Sequence, residues 1–293
     1  MLYDIRLRIT YSVGQSAASG RMIMRIAPMA VDGVQQVSDV RLTLDPGPEE
    51  MRQGVDFFGN PIVETNHHAA WSKIVITMQA RIERRAPAVL SADASAPLAR
   101  LTDEISAVHS LDPDSPHHFT GPSTRAASVP AIAAFARKAT EGCATALDAT
   151  LALNRALHRH LKFDADATTV NTPAAEAFAK RRGVCQDFTH IMIVALRALG
   201  IPAGYASGYL RTIQPAGKPR LEGADAMHAW VRAWCGRDIG WVEVDPTNDL
   251  VVGVDHIIAG RGRDYSDVSP IRGVLRTAGA QKTKQEVDVI PLA

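Results

Sequence analysis

The chain has 293 residues, 46% hydrophobic and 22% charged, with a formal net charge of +1. That length allows about two domains, and so even a charge balance excludes a nucleic-acid footprint or a polybasic membrane anchor. Three cysteines without a C-x-x-C pair argue against a disulfide framework or a structural zinc site. They fit a reducing compartment, and with neither an apolar run of roughly 18 residues nor a leader-like start the expectation is a cytoplasmic protein with no membrane or nucleic-acid partner.

Residues 2–11 alternate, with Tyr3, Ile5, Leu7, Ile9 and Tyr11 on one face, which predicts a half-buried strand. Met22, Met24 and Ile26 repeat the period, then Val40, Leu42 and Leu44, then Ile74 to Ile82. Asp45-Pro46-Gly47-Pro48 and Phe58-Gly59-Asn60-Pro61 mark turns. Short strands between turns predict an antiparallel β-sandwich over residues 1–86. No nucleophile–base pair occurs there, so this part is expected to position a substrate or partner. His67-His68 reads as a solvated loop, because adjacent strand residues face opposite ways.

Residues 87–127 are rich in Ala, Ser, Pro and Asp and read as a connector, with a short helix near Leu98–Val108. Residues 128–293 read as a second, α+β unit. Ser128 is the expected N-cap of a helix with Pro130 in its first turn. A stripe of Leu147, Leu151, Asn154, Leu157 and Leu161 marks the next helix. A third is expected from Thr172-Pro173 to Arg182, stopped at Gly183. Strands follow at 203–212, 227–234 and 241–245, with Pro215–Pro219 as a loop and Val287 and Val289 on a last strand.

Cys185 stands between Gly183 and the apolar run Ile191–Leu199, which puts its thiol at a helix N-terminus. Unpaired N–H groups there favour a thiolate, and the Cys185 N–H is the best oxyanion donor. A thiol nucleophile needs a base, and the base a group that fixes its tautomer. His228 lies on the next long strand and Asp245 at the end of the strand after it, across a tight hairpin. A helix packed on the His228 face would bring Cys185 to the imidazole. Cys143 and Cys235 lack such partners and read as structural.

The motifs Gly183-Val184-Cys185-Gln186-Asp187-Phe188, His228-Ala229-Trp230-Val231 and Asp245-Pro246-Thr247-Asn248 resemble the transglutaminase-like superfamily, related to papain-type cysteine proteases. Asp56-Phe57-Phe58-Gly59-Asn60 and Arg263–Pro270 are similar to segments of a bacterial subgroup with an N-terminal β domain. The resemblance implies a papain-like α+β core, Cys185 as nucleophile, His228 as base and acid, and Asp245 as the orienting residue. It implies a peptide, protein or small-amide substrate and leaves three readings open: hydrolysis, transfer to a primary amine, or a binding module with a relic triad. No cofactor is expected, and no metal, since no acidic loop of the EF-hand kind is present. Trp230, Arg232 and Trp241 are expected to contact substrate. Arg232 departs from the pattern; it either pairs with Glu243 or reads an acidic substrate. Its charge among the tryptophans would repel an incoming ammonium, which favours hydrolysis.

Overall fold

The computed structural model describes residues 1–17, 19–87, 90–91, 94–212, 223, 225–276 and 280–292; the expected loop at Pro215–Pro219 lies outside them. The strands are β1 (Leu2–Ala17), β2 (Ser19–Met24), β3 (Gln35–Asp45), β4 (Glu50–Val55), β5 (Pro61–His67), β6 (Trp71–Arg84), β7 (Lys162–Phe163), β8 (Arg182–Gly183), β9 (Ala203–Leu210), β10 (Ala226–Trp234), β11 (Trp241–Asp245), β12 (Leu250–Val251), β13 (His256–Gly262), β14 (Ile271–Arg276) and β15 (Gln281–Leu292). The helices are α1 (Leu101–Ser106), α2 (Pro130–Ala139), α3 (Ala146–His160), α4 (Ala174–Lys180), α5 (Cys185–Ala198) and α6 (Tyr265–Val268).

The N-terminal unit is an antiparallel sandwich of two sheets, ordered β15-β1-β6-β3 and β14-β2-β5-β4. The period-two residues of β1 and β6, among them Ile5, Leu7, Ile76 and Met78, meet Met22, Met24 and Val63 of the other sheet in one apolar core. Val40 departs from the expected pattern and is exposed. A register shift between Ser38 and Arg41, with Asp39 at φ 52°, turns β3 there, as a bulge does. His67 is buried at the end of β5 while His68 is exposed, so only His68 behaves as the loop residue expected of both.

The last two strands differ from the expected division. They follow the α+β core in sequence, yet β15 pairs along β1, from Leu2↔Leu292 to Val13↔Gln281, and β14 pairs with β2. Backbone donors and acceptors of β1 and β2 need those partners. A fragment of residues 130–293 would strand β14 and β15 without theirs. Such a fragment is expected to show no cooperative thermal unfolding by circular dichroism, whereas the whole chain does; a cooperative transition in the fragment would contradict this coupling.

The core is a five-stranded antiparallel sheet, β12-β11-β10-β9-β13, packed against α5 and α3, with α2 and α4 packed on α5. Two helix starts fall one residue from their expected places. Val129, not Ser128, is the N-cap of α2, and Pro173, not Thr172, that of α4. Arg181 at φ 52° ends α4. Asn60 joins the two units: its amide donates to the Arg261 carbonyl at 2.8 Å and accepts from the Arg261 N–H at 2.7 Å. Asp56 of the same loop holds the Phe58 and Asn60 N–H groups and the Arg25 guanidinium.

Candidate active site

Cys185 opens α5 with Val184 as its N-cap. Asp187 locks this entry: its Oδ2 accepts from the Val184 N–H at 2.8 Å and the Thr168 hydroxyl at 2.6 Å. A Cβ at Gly183 would collide with the Asp187 carboxylate, so the motif needs glycine there. The Cys185 N–H, in the first turn, has no acceptor among the described residues, which leaves it available to an oxyanion. Most of the rest of α5 is buried, from Phe188 to Leu196.

The hairpin of β10 and β11 sets Val231 opposite Val244 and Trp234 opposite Trp241. Asp245 comes one residue after Val244 and reaches His228 diagonally. His228 Nε2 donates to Asp245 Oδ2 at 2.7 Å, which leaves Nδ1 for the thiol, and the imidazole lies close enough to the Cys185 side chain to interact with it. Burial alone would keep the imidazole neutral, but the hydrogen bond of Asp245 and the nearby Asp245 and Cys185 groups prevail and push His228 up to about 10. The three expected residues therefore meet. The helix does not lie where expected, however: α5 packs with Ala229, Val231 and Ala233, the other face of β10. The thiol meets the ring at the N-terminal end of the helix rather than along its side.

Asp245 has no exposed surface and receives more donors than the sequence suggested. Oδ2 also accepts from His256 Nε2 at 3.1 Å and Asn248 Nδ2 at 2.7 Å, and Oδ1 from the Thr247 and Asn248 N–H groups. These bonds outweigh burial and hold the carboxyl well below the usual carboxylate range. His256, on β13, was not singled out; a lone histidine outside any motif carries no signal until the sheet folds. Its Nδ1 is buried with no partner among the described residues. His228, Asp245 and His256 could geometrically hold a cation. A cation there would displace the hydrogens that link the two rings to Asp245 and would remove His228 as a base.

The residues expected to contact substrate behave differently. Trp230 is buried and its Nε1 donates to Glu243 at 2.9 Å. Arg232 is 2% exposed. Its Nη1 donates to Asp114 at 2.8 Å, and its guanidinium lies 4.2 Å from the centre of the Trp241 ring. Glu243 instead takes Arg261 at 2.6 Å; burial would raise its carboxyl, but Arg261 and Arg232 hold it at about 2. Trp241 is half-buried and donates to the Asp114 carbonyl. The connector, which carries Asp114, thus closes over this face. Alternation identifies the residues that share a face but not what covers it. Arg232→Glu would bury a carboxylate beside Glu243. We expect a loss of about 3 kcal/mol or more, read as a large fall in the thermal midpoint; an unchanged midpoint would contradict the assignment of Arg232 to the core.

Comparison with known proteins extends this geometry. The family model described as "Transglutaminase-like superfamily" matches residues 133–246, which contain all three residues of the site. These residues belong to that superfamily. A second model, "Bacterial transglutaminase-like N-terminal region", matches residues 3–83 of the sandwich. The chain is 42% identical over 139 residues to an uncharacterized protein of Mycobacterium tuberculosis, covering 46% of this chain and 44% of that protein; it thus spans less than half the length of that relative. It is 33% identical over 136 residues to a Pseudomonas aeruginosa protein named Protein-glutamine gamma-glutamyltransferase, covering 41% of this chain and 20% of that one. The fold matches the crystal structure of a protein from Cytophaga hutchinsonii, provisionally assigned as a cysteine protease. The TM-score is 0.75 at 22% identity, over 100% of this chain and 92% of that chain.

Proposed function

We propose that this protein is a thiol-dependent amide hydrolase that works through an acyl-enzyme on Cys185. The observation that carries the proposal is the placing of Cys185, at a helix N-terminus, beside an imidazole that is itself hydrogen-bonded to Asp245. A protonated His228 favours an ionised sulfur beside it. The sulfur attacks the amide carbonyl, and the Cys185 N–H receives the developing oxyanion. His228 then passes its proton to the leaving nitrogen as the C–N bond breaks, and a thioester remains. Water, deprotonated by His228, releases the acid and restores the thiol centre. Asp245 holds the imidazole through Nε2 and stabilises the imidazolium throughout. The substrate is a peptide, a protein or a small amide, and three free cysteines favour a reducing compartment.

Buried and paired, Arg232 does not repel an incoming amine, so the sequence argument for hydrolysis falls away. What supports hydrolysis now is a polar neighbourhood that suits water: the cleft lined by Tyr265 also carries Arg125, Ser266 and Ser269. Transfer to an amine is the second reading, favoured by the name of the Pseudomonas relative. Intact-mass spectrometry with a peptide pool, with and without a millimolar primary amine, separates the two. Excess free acid over amide product supports hydrolysis, and the reverse supports transfer.

Iodoacetamide at neutral pH tests the thiol itself. Cys185 is expected to be alkylated well before the others, since burial pushes the Cys235 thiol up to about 12 and raises that of Cys143. Equal labelling of Cys143 and Cys185 would remove the basis for the proposal.

A further inference from the structure

With Arg232 closed off, an acidic group on a substrate must be read elsewhere if it is read at all. A cleft of about 590 Å³ lies between the segments that precede α2 and α4 and the α6–β14 stretch, lined among others by Arg125, Val170, Tyr265, Ser266, Ser269 and Arg272. No acidic side chain lines it. Asp264, the nearest in sequence, is buried, with its oxygens on the Arg125 and Ser266 N–H groups. Arg125 gives one nitrogen to Asn171 at 2.8 Å and has no carboxylate partner among the described residues. Arg272 is exposed and has no hydrogen-bond or ion-pair partner among them. Two guanidinium groups thus face a concave space with serine and tyrosine hydroxyls around them.

Two contacts tie this cleft to the thiol. The Val170 carbonyl on its wall accepts from the side chain of Gln186, the residue after Cys185, at 3.0 Å. The Tyr265 ring on its floor lies 6.2 Å from the Tyr205 ring. Tyr205 is fully buried, and after burial the charge of Cys185 is the strongest influence on its phenol. The cleft and the thiol centre therefore share a wall, built of Gln186 on one side and Tyr205 on the other.

We propose that this cleft is a carboxylate subsite of the thiol centre, and that the substrate is an acidic peptide whose side-chain carboxylate, beside the scissile amide, is held by Arg125 and Arg272. The inference rests on the hydrolase reading above. Guanidinium forks match a carboxylate in two parallel hydrogen bonds, and a concave wall of one sign concentrates the opposite charge.

The test compares peptides that differ only in Glu or Lys next to the cleaved bond, for wild type and Arg272→Glu. Arg272 is exposed, so the variant is expected to keep its thermal transition. Wild type should prefer the Glu peptide by about tenfold or more in kcat/KM at low salt, and Arg272→Glu should abolish or invert that ratio. The same ratio in both proteins would overturn the subsite. A second readout needs no substrate: the alkylation rate of Cys185 by iodoacetate, an anion, relative to neutral iodoacetamide. That ratio should fall several-fold in Arg272→Glu, and an unchanged ratio would also overturn the subsite. Failure of the thiol reading looks different, because then neither reagent would select Cys185 in either protein.

Discussion

Cys185→Ala is expected to lower amide turnover by about three orders of magnitude or more while leaving the thermal transition in place. The sulfur is the one atom in the proposed reaction that forms and breaks the covalent bond to the acyl group, and neither Cys143 nor Cys235 is in a position to replace it. Cys235 touches Thr150 and the Ala233 carbonyl, and Cys143 precedes the N-cap of α3. The structural cost is small, because Cys185 is only partly buried and its side chain packs at the edge of the core. Single-turnover rates together with circular dichroism on the same preparation check both halves. Activity at a tenth of wild type or above would remove Cys185 from the role of nucleophile.

Asp245→Ala should damage both activity and stability. The carboxylate satisfies five donors in a site closed to solvent, and its removal leaves two buried imidazoles and an amide without an acceptor. Breaking a buried charged pair costs about 3–5 kcal/mol. Loss of the tautomer lock in comparable triads costs about 10⁴ in kcat. The pH dependence has a definite sign. His228 is raised to about 10, above an unfolded value of about 6.5, so its contribution is fully present below about 6.5 and is lost as pH climbs through about 10. Asp245 is lowered, so its contribution is present above about 3.9 and disappears as the solution is acidified below that. Wild type should therefore lose stability toward both ends of the pH scale. In Asp245→Ala the alkaline loss should shrink. Parallel urea titrations from pH 5 to pH 10 measure it, and identical alkaline slopes would contradict the pairing.

Much of the site could be read from sequence because its parts are local. A glycine, a thiol and an apolar helix are adjacent, and His228 and Asp245 lie on strands joined by a tight turn, so few geometries keep them apart. The sandwich was legible for a similar reason: β1 and β6 alternate over enough residues to fix which face is buried. What could not be read depends on partners distant in the chain. Arg232 has the same alternation whether it faces solvent or Asp114, which is 118 residues away. His256 matters only because β13 pairs with β9 and brings its ring to Asp245. The affiliation of β14 and β15 was hidden because a strand pattern shows that a segment pairs and not with what. The two helix starts moved by a residue because N-cap preferences differ by only about 1 kcal/mol, and the packing of α2 and α4 prevails.

The antiparallel pairing of the first strand with the last also sets an order of events at the ribosome. The β1 edge of the sandwich is filled only when β15 pairs along it, as Leu2 does with Leu292, across almost the whole α+β core in sequence. Contacts of that span are late and slow to form. While the core is being synthesised, the outer edges of β1 and β2 stay open, and an open strand edge is where chains stick to one another. The burden of safe folding therefore falls on β14 and β15, which complete the two sheets of the sandwich. Substitutions of their buried residues, such as Val287 and Val289, should act first on the yield of soluble protein and only through it on activity.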